Sequence, residues 1–440
     1  MNNLQSRLLS VGETVNSLAT VPLMPEENWR RTAPDHFFLP PDHVVNSFGQ
    51  TVVGAPLLAP SYKIHFKTLS AAELKEQIYS VLHSSDLQDK KVDFELDESR
   101  VVLVRLMNGS VIVASAQAAD AWVGRIEIAS RPSRPEPLIR NSSISSALAE
   151  RLQVSAPSEL IIRIPRIEKT PLLVVDIETE SAFSQSHANI SIDLADGAAA
   201  ELAVFHGQQP FAHHRVTLRV GRDALLTQLW AHLGRNSDAS GKMLVERKVR
   251  LETGARFFDA SVFVPSDLLR IMSVISAEAE RSLAQCATTI VATGQSVADY
   301  EPLQDHLAPR SESHLRAQMI ASQRGKAVFQ GLINVERDAL GTNSSQVNKN
   351  LLMSKRARID SMPKLRILPD EVACKHGSAT GEIDAKQVHY LMTRGFNERA
   401  AKELVARGFC LEGLKHLSEE SPMLAWATQL LNYGLEQALK

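Results

Sequence analysis

Between Glu159 and about Ile383, short apolar stretches recur with period two and helical spacing is almost absent. Ile190-Ser191-Ile192-Asp193-Leu194 and Leu202-Ala203-Val204 open the series. Phe257 to Val264, Leu315 to Met319, Ala327 to Val335 and Leu365 to Ile367 continue it. Tight polar breaks separate the runs, at Asp196-Gly197, Gly221-Arg222-Asp223, Gly254-Ala255-Arg256 and Arg324-Gly325-Lys326. Alternate residues of a strand share one face, so these runs predict an all-β unit. The pattern admits a sandwich, a barrel or a solenoid. Gly-Ala and Gly-Lys-Ala corners at loosely similar intervals favour the solenoid, with Ile190, Val262, Phe329 and Ile333 in its inward column.

Helical signals bracket this region. A first helix is expected within Asn2 to Ala19, then a loop from Pro25 to Thr32 whose Trp29 staples it to the body. Ser70 and Glu73 form a capping box for a helix from Ala71 to His83. Val101 to Leu106 and Val111 to Ala114 predict a hairpin across Asn108-Gly109. The proline-rich run Arg131 to Pro137 reads as a linker, and Ser142 to Leu152 as a helix. Beyond Ile383, Asp384 caps a helix ended by Gly395, Asn397 a second ended by Gly408, and Ser421-Pro422 starts a third. That last helix carries Leu424, Ala427, Leu431, Leu435 and Leu439 along one side. The expected division is 1–155, a mixed α/β, helix-rich N-terminal domain; 156–383, the β core; and 384–440, a C-terminal helical domain.

Composition changes this picture little. A net charge of −2 gives no reason to expect nucleic acid, and no apolar run is long enough for a membrane span. Three scattered cysteines, Cys286, Cys374 and Cys410, suit a reducing compartment, and the start of the chain does not read as a signal peptide, so a cytoplasmic location is expected.

The sequence lacks a P-loop, G-x-S-x-G, H-E-x-x-H and CxxC. His213-His214 is a poor metal pair, because adjacent strand residues face opposite ways. Cys286 and Cys410 read as small buried hydrophobes. In Cys374-Lys375-His376 the outer two residues share a strand face, and thiolate and imidazole both suit iron or an iron–sulfur cluster. The bland alternative is a buried Cys and a hydrogen-bonded His at a corner. If the pair does bind a cluster, the remaining ligands belong to another chain.

The motifs G-K-A-V-F-Q-G at Gly325 to Gly331, Q-V-N-K-N-L-L-M-S at Gln346 to Ser354 and D-E-V-A-C-K-H-G at Asp370 to Gly377 resemble the SufB/SufD family. Tyr390 to Gly395 and Glu27 to Thr32 add to the likeness, which favours the SufD branch. SufB-like chains carry C-D-S where this one has Asn348-Lys349-Asn350. The resemblance implies a mainly β fold: a right-handed parallel β-helix core flanked by an N-terminal α-rich domain and a C-terminal α-helical domain. It implies a non-catalytic scaffold that helps iron entry and cluster assembly, with no permanent cofactor but a transient iron or iron–sulfur cluster at a SufB interface. His376 is then the metal donor, with Cys374 either a second ligand or interface packing. Asn348 and Asn350 belong to the strands expected to pair with a SufB-like chain. Tyr390, Arg394 and Gly395 belong to the segment expected to meet a SufC-like ABC ATPase, and the isolated chain is a candidate homodimer. Lys375, Arg310-Ser311, Arg366, Pro369 and Arg31 depart from the family pattern. A self-sufficient SufB-like scaffold fits poorly with three scattered thiols. A β-helix polysaccharide enzyme fits poorly with dispersed carboxylates.

Overall fold

The computed structural model describes residues 62–82, 95–107, 110–139, 143–156, 158–177, 186–207, 211–234 and 241–440. The expected helix within Asn2 to Ala19, Trp29 and the Asn108-Gly109 turn lie outside the described residues.

The first strands are β1 (Lys63–Leu69), β2 (Val101–Met107), β3 (Ser110–Ala116) and β4 (Glu127–Pro132). Then come β5 (Ser158–Ile164), β6 (Leu172–Ile177), β7 (Ser186–Leu194), β8 (Ala199–His206), β9 (Phe211–Val220) and β10 (Leu225–Leu233). The winding continues with β11 (Lys242–Leu251), β12 (Arg256–Val264), β13 (Leu268–Ala277), β14 (Leu283–Ala292), β15 (Val297–His306) and β16 (Glu312–Ala321). It closes with β17 (Lys326–Phe329), β18 (Leu332–Val335), β19 (Asn343–Leu352), β20 (Arg358–Ser361), β21 (Lys364–Ile367) and β22 (Ala373–Glu382).

One sheet runs β1-β3-β2-β6-β8-β10-β12-β14-β16-β19-β22 and the other β20-β17-β15-β13-β11-β9-β7-β5-β4, with β18 on β15 and β21 on β18. From β5 onward successive strands change sheet until β17 and β18 share one. Each pairs in parallel with its counterpart one coil away. The chain is therefore a parallel β-solenoid of about seven turns. Its corners explain both the sequence punctuation and the lack of a strict repeat. Gly197, Asp223, Gly254, Arg281, Arg310 and Gly341 occupy the same corner of successive coils, all with φ between +53° and +69°. Glycine is favoured there, but Asp and Arg tolerate the conformation at modest cost, so the residue identity drifts.

Inside the coil, Ile190, Phe329 and Ile333 are buried as expected. Val262 is buried on the other face of its sheet, in the cluster under the C-terminal helices. Both faces of β12 are covered, so alternation alone could not say which side was inward. The proline-rich run is no linker. Arg131 and Pro132 end β4, an edge strand antiparallel to β5, where a missing N–H is tolerated. The residues after it lie on the sheet, with Arg215 Nη1 donating to the Glu136 carbonyl. Strands β1–β4 extend the same two sheets, so the described N-terminal part is strand as well as helix.

The capping box forms as read: Ser70 N donates to Glu73 Oε2 at 2.8 Å, opening the Ala71–Leu82 helix. The expected helix near Ser142 spans Ser143–Ser155. The Asn397-capped helix does not stop at Gly408 but runs Glu398–Leu411, because buried Cys410 beyond the glycine docks into the core. The final helix, Pro422–Ala438, lies across β10, β12 and β14. It approaches closely at Gly434, where a Cβ would stand 2.9 Å from Val264 and 3.2 Å from Val291. Among the described residues no helix is long and apolar enough to cross a membrane.

Candidate functional site

Among the described residues the solenoid stops at β20, β21 and β22 without a capping element. Among these residues β22 is the last strand of its sheet, paired only with β19, and all of its residues but Cys374 are exposed. Ser344 pairs with Cys374, Gln346 with His376, Asn348 with Ser378 and Asn350 with Thr380. Since Ser344, Gln346, Asn348 and Asn350 are buried inside the coil, their partners on β22 face its open end.

Cys374 and His376 thus share the face expected from their spacing, in different surroundings. Cys374 is half-buried and, with Ile367 and Val372, packs against the cluster of Ile333, Val335 and Ala339. Burial pushes its thiol above the ordinary value, opposed by a backbone hydrogen bond from Ser344. Binding to a metal would require its deprotonation. His376 is exposed. Among the described residues no group of three or more His, Cys, Asp or Glu side chains converges to hold a metal ion. The donor set offered here is one exposed imidazole and one half-buried thiol.

Asn348 and Asn350 are not surface residues; they are 0% and 4% exposed. Asn350 Nδ2 donates to Asn348 Oδ1 at 2.7 Å and to Thr380 Oγ1 at 3.0 Å. Ser361 Oγ donates to Asn348 Oδ1 at 2.7 Å, and Ser378 Oγ to Ser361 Oγ at 2.8 Å. Asn348 Nδ2 reaches the Ala317 carbonyl of the preceding coil at 3.3 Å. These side chains tie β19 to β20 and β22, and a partner would meet the strands they order. Sequence reading missed Ser361, Ser378 and Thr380. The signal was available, since H-x-S-x-T at His376 repeats the alternation of Q-x-N-x-N at Gln346 thirty residues later, one coil on.

A second surface lies on the helices that follow. The Ala385–Thr393 helix, capped by Asp384, buries only Val388 and packs on the Glu398–Leu411 helix. Gly395 ends it at φ +96°, with Gly395 N donating to the Met392 carbonyl and Phe396 N to the Leu391 carbonyl. That paired arrangement satisfies the last carbonyls and needs a residue free of a Cβ at Gly395. Arg394 stacks on the Tyr390 ring at 5.2 Å and donates to its hydroxyl at 3.1 Å. Tyr390 is 57% exposed, and Met392, Phe396, Leu404 and Leu411 are also exposed. Glu412 ties this layer to the solenoid through Arg316 at 2.7 Å and Lys349 at 3.6 Å.

Residues 176–409, just over half of the chain, match the family described as SUF system FeS cluster assembly, SufBD core domain. The chain belongs to the SufBD family. Within it the likeness falls on the SufD branch. The chain is 28% identical over 333 residues to the iron-sulfur cluster assembly protein SufD of Escherichia coli, covering 74% of this chain and 77% of that one. It is 26% identical over 275 residues to the SufBD family protein slr0076 of Synechocystis, covering 60% and 55%. With SufB of Bacillus subtilis the identity is 30% over 118 residues, 27% of this chain and 24% of that one. The SufBD core match spans β6 to the Glu398–Leu411 helix and so contains both surfaces.

Proposed function

We propose that this SufBD chain is a non-catalytic scaffold subunit whose last coil pairs with a SufB-like chain to build a shared iron–sulfur assembly site. The observation that carries the reading is the end of the solenoid, uncapped among the described residues, where β22 offers a free edge with His376 on the face of the open coil. An unpaired strand edge is a template for another strand. The cluster is cargo. His376 donates an imidazole to iron, and Cys374 adds a thiolate once its proton is lost. The partner supplies the rest of the ligand set, because tetrahedral iron–sulfur sites take more donors than this face presents. The exposed side chains of Tyr390, Met392, Phe396 and Leu404 form the docking face for a SufC-like ABC ATPase.

The test is co-expression with SufB- and SufC-like proteins, reading complex mass, ATPase activity and iron content. His376→Ala should leave the complex and its ATPase intact while abolishing cluster assembly. Full cluster yield from that variant, at normal stoichiometry, returns Cys374 and His376 to a structural role. A chain ending at Ile383 that still recruits the ATPase refutes the helical docking face.

A further inference from the structure

Far from the open end, the outer face of β5, β7, β9 and β11 carries a cleft of about 250 Å³, roofed by the segment that follows β4. Arg163, Asp193, Arg219 and Arg250 stand in one register row across the four strands. Two residues earlier, Ile161, Ser191, Thr217 and Lys248 form the next row. Arg215 and Arg131 line the sheet side, and Arg134 projects from the roof. The wall thus holds seven cationic side chains against three carboxylates, those of Glu136, Glu159 and Asp193.

The carboxylates that balance the rest stand outside the cleft. Arg163 pairs with Glu127 at 2.6 Å, Arg219 with Glu252 at 2.6 Å, Arg250 with Glu278 at 2.9 Å and Arg215 with Glu246 at 2.8 Å. Arg219 also meets Asp193 at 2.7 Å and is fully engaged, but Arg163 and Arg250 each use a single guanidinium nitrogen in an exposed pair that contributes little to stability, so their remaining N–H donors are available. Arg219 and Arg250 are direct cross-strand neighbours, a placement that like charges disfavour. Among the described residues the exposed Arg134 guanidinium and the Thr217 hydroxyl meet no partner. Free donors on a hydroxyl floor, under a cationic rim, are the chemistry of an oxyanion site. The volume falls below the roughly 300–1,000 Å³ typical of pockets for drug-sized ligands, which points to a small anion.

We propose that this cleft binds a small multivalent oxyanion, a polyphosphate or a polycarboxylate. It stands apart from the partner surfaces of the SufBD reading and does not depend on them. The test is calorimetric titration of the full chain with inorganic pyrophosphate and, separately, with citrate. At least one should bind with one site per chain and weaken as sodium chloride is added. The tighter of the two fixes the ligand class. Arg134→Glu should weaken binding by about tenfold or more, and Thr217→Val by about fivefold, while Arg281→Gln, on a distant corner, changes nothing. Melting in the absence of anion checks that each variant folds; Thr217→Val carries the test should Arg134→Glu fail. Absence of binding by both anions, or equal affinity in the wild type and in the folded cleft variants, overturns the proposal.

Discussion

Acid should unfold this protein through its interior histidines. His206, His214, His232 and His306 all lie inside the coil, where burial is the main force holding them neutral. His206 and His214 stack 5.3 Å apart, and each also suppresses the other's charging or that of a neighbouring histidine. Both titrate well below the ordinary 6.5, and His232 and His306 are pushed down to about 4. Below pH 6.5 the unfolded chain therefore binds protons that the folded chain refuses. Stability must fall as pH falls through this window, and the loss continues until the folded groups themselves titrate near pH 4 and below. Each such histidine contributes about 1.4 kcal/mol per pH unit, so four give a slope of about 5 kcal/mol per unit once the unfolded forms are protonated. Against a total stability of roughly 5–15 kcal/mol, the margin is gone within one to three units. Burial pushes Glu246 up, but Arg215 and His213 outweigh it and hold it at about 2, so its own loss belongs to lower pH. Urea unfolding followed by tryptophan fluorescence from pH 7.5 to 5.0 measures the slope. His306→Gln, which removes a ring held between Ser311 and Ser313 at 2.7 Å, should reduce it by about a quarter. A urea midpoint that is flat from pH 6.5 to 5.0, or the full slope retained in the variant, would mean that the interior histidines do not set the acid limit.

Three further outcomes follow from packing and hydrogen bonding. Asp259→Ala leaves the buried Arg247 without its 2.5 Å partner and should cost about 3–5 kcal/mol in urea unfolding; Arg247→Met together with Asp259→Leu should recover most of it. Gly434→Leu forces a side chain onto Val264 and Val291 and should cost about 1–3 kcal/mol, with a changed near-ultraviolet signal from buried Trp426. Asn348→Ala removes the acceptor shared by Ser361 and Asn350 and should cost about 1–3 kcal/mol; hydrogen exchange should quicken in β20 and β22 and stay unchanged in β11 and β13.

The solenoid was legible in the sequence because its corners demand polar residues and its strands alternate. Its handed corner was not, since Asp223, Arg281 and Arg310 fill positions that Gly197, Gly254 and Gly341 fill elsewhere. The Cys374 and His376 face was legible from spacing alone. The inward burial of Asn348 and Asn350 was not, because buried polar strands look like surface strands until the neighbouring coil is in place to satisfy them. Likewise the docking of Val262 under the final helix depends on a contact between residues far apart in sequence, which local periodicity does not encode.

An uncovered strand edge as long as β22 invites indiscriminate pairing unless its side chains oppose it. The terminal strands carry a cationic set: Arg358 on β20, Lys364 and Arg366 on β21, and Lys375 on β22, with Asp360 and Glu382 the only acidic residues among them. Charge at an edge repels a second copy with the same sign and favours a complementary one. Meanwhile the hydrogen bonds from Asn348 and Asn350 hold β20 and β22 in place, so association need not order them afresh. If the edge pairs as proposed, affinity would rest on the ordered backbone edge, and partner choice and association rate on the exposed cations. Lys375 lies on the outer face of β22, away from Cys374 and His376, and is exposed. Lys375→Glu should therefore slow association with a SufB-like chain by about tenfold at low salt, with a smaller change in dissociation. Raising the ionic strength should bring wild type and variant together. Stopped-flow or surface-based kinetics on the two chains decides it: equal association rates at low salt would mean that the edge cations take no part in selecting the partner.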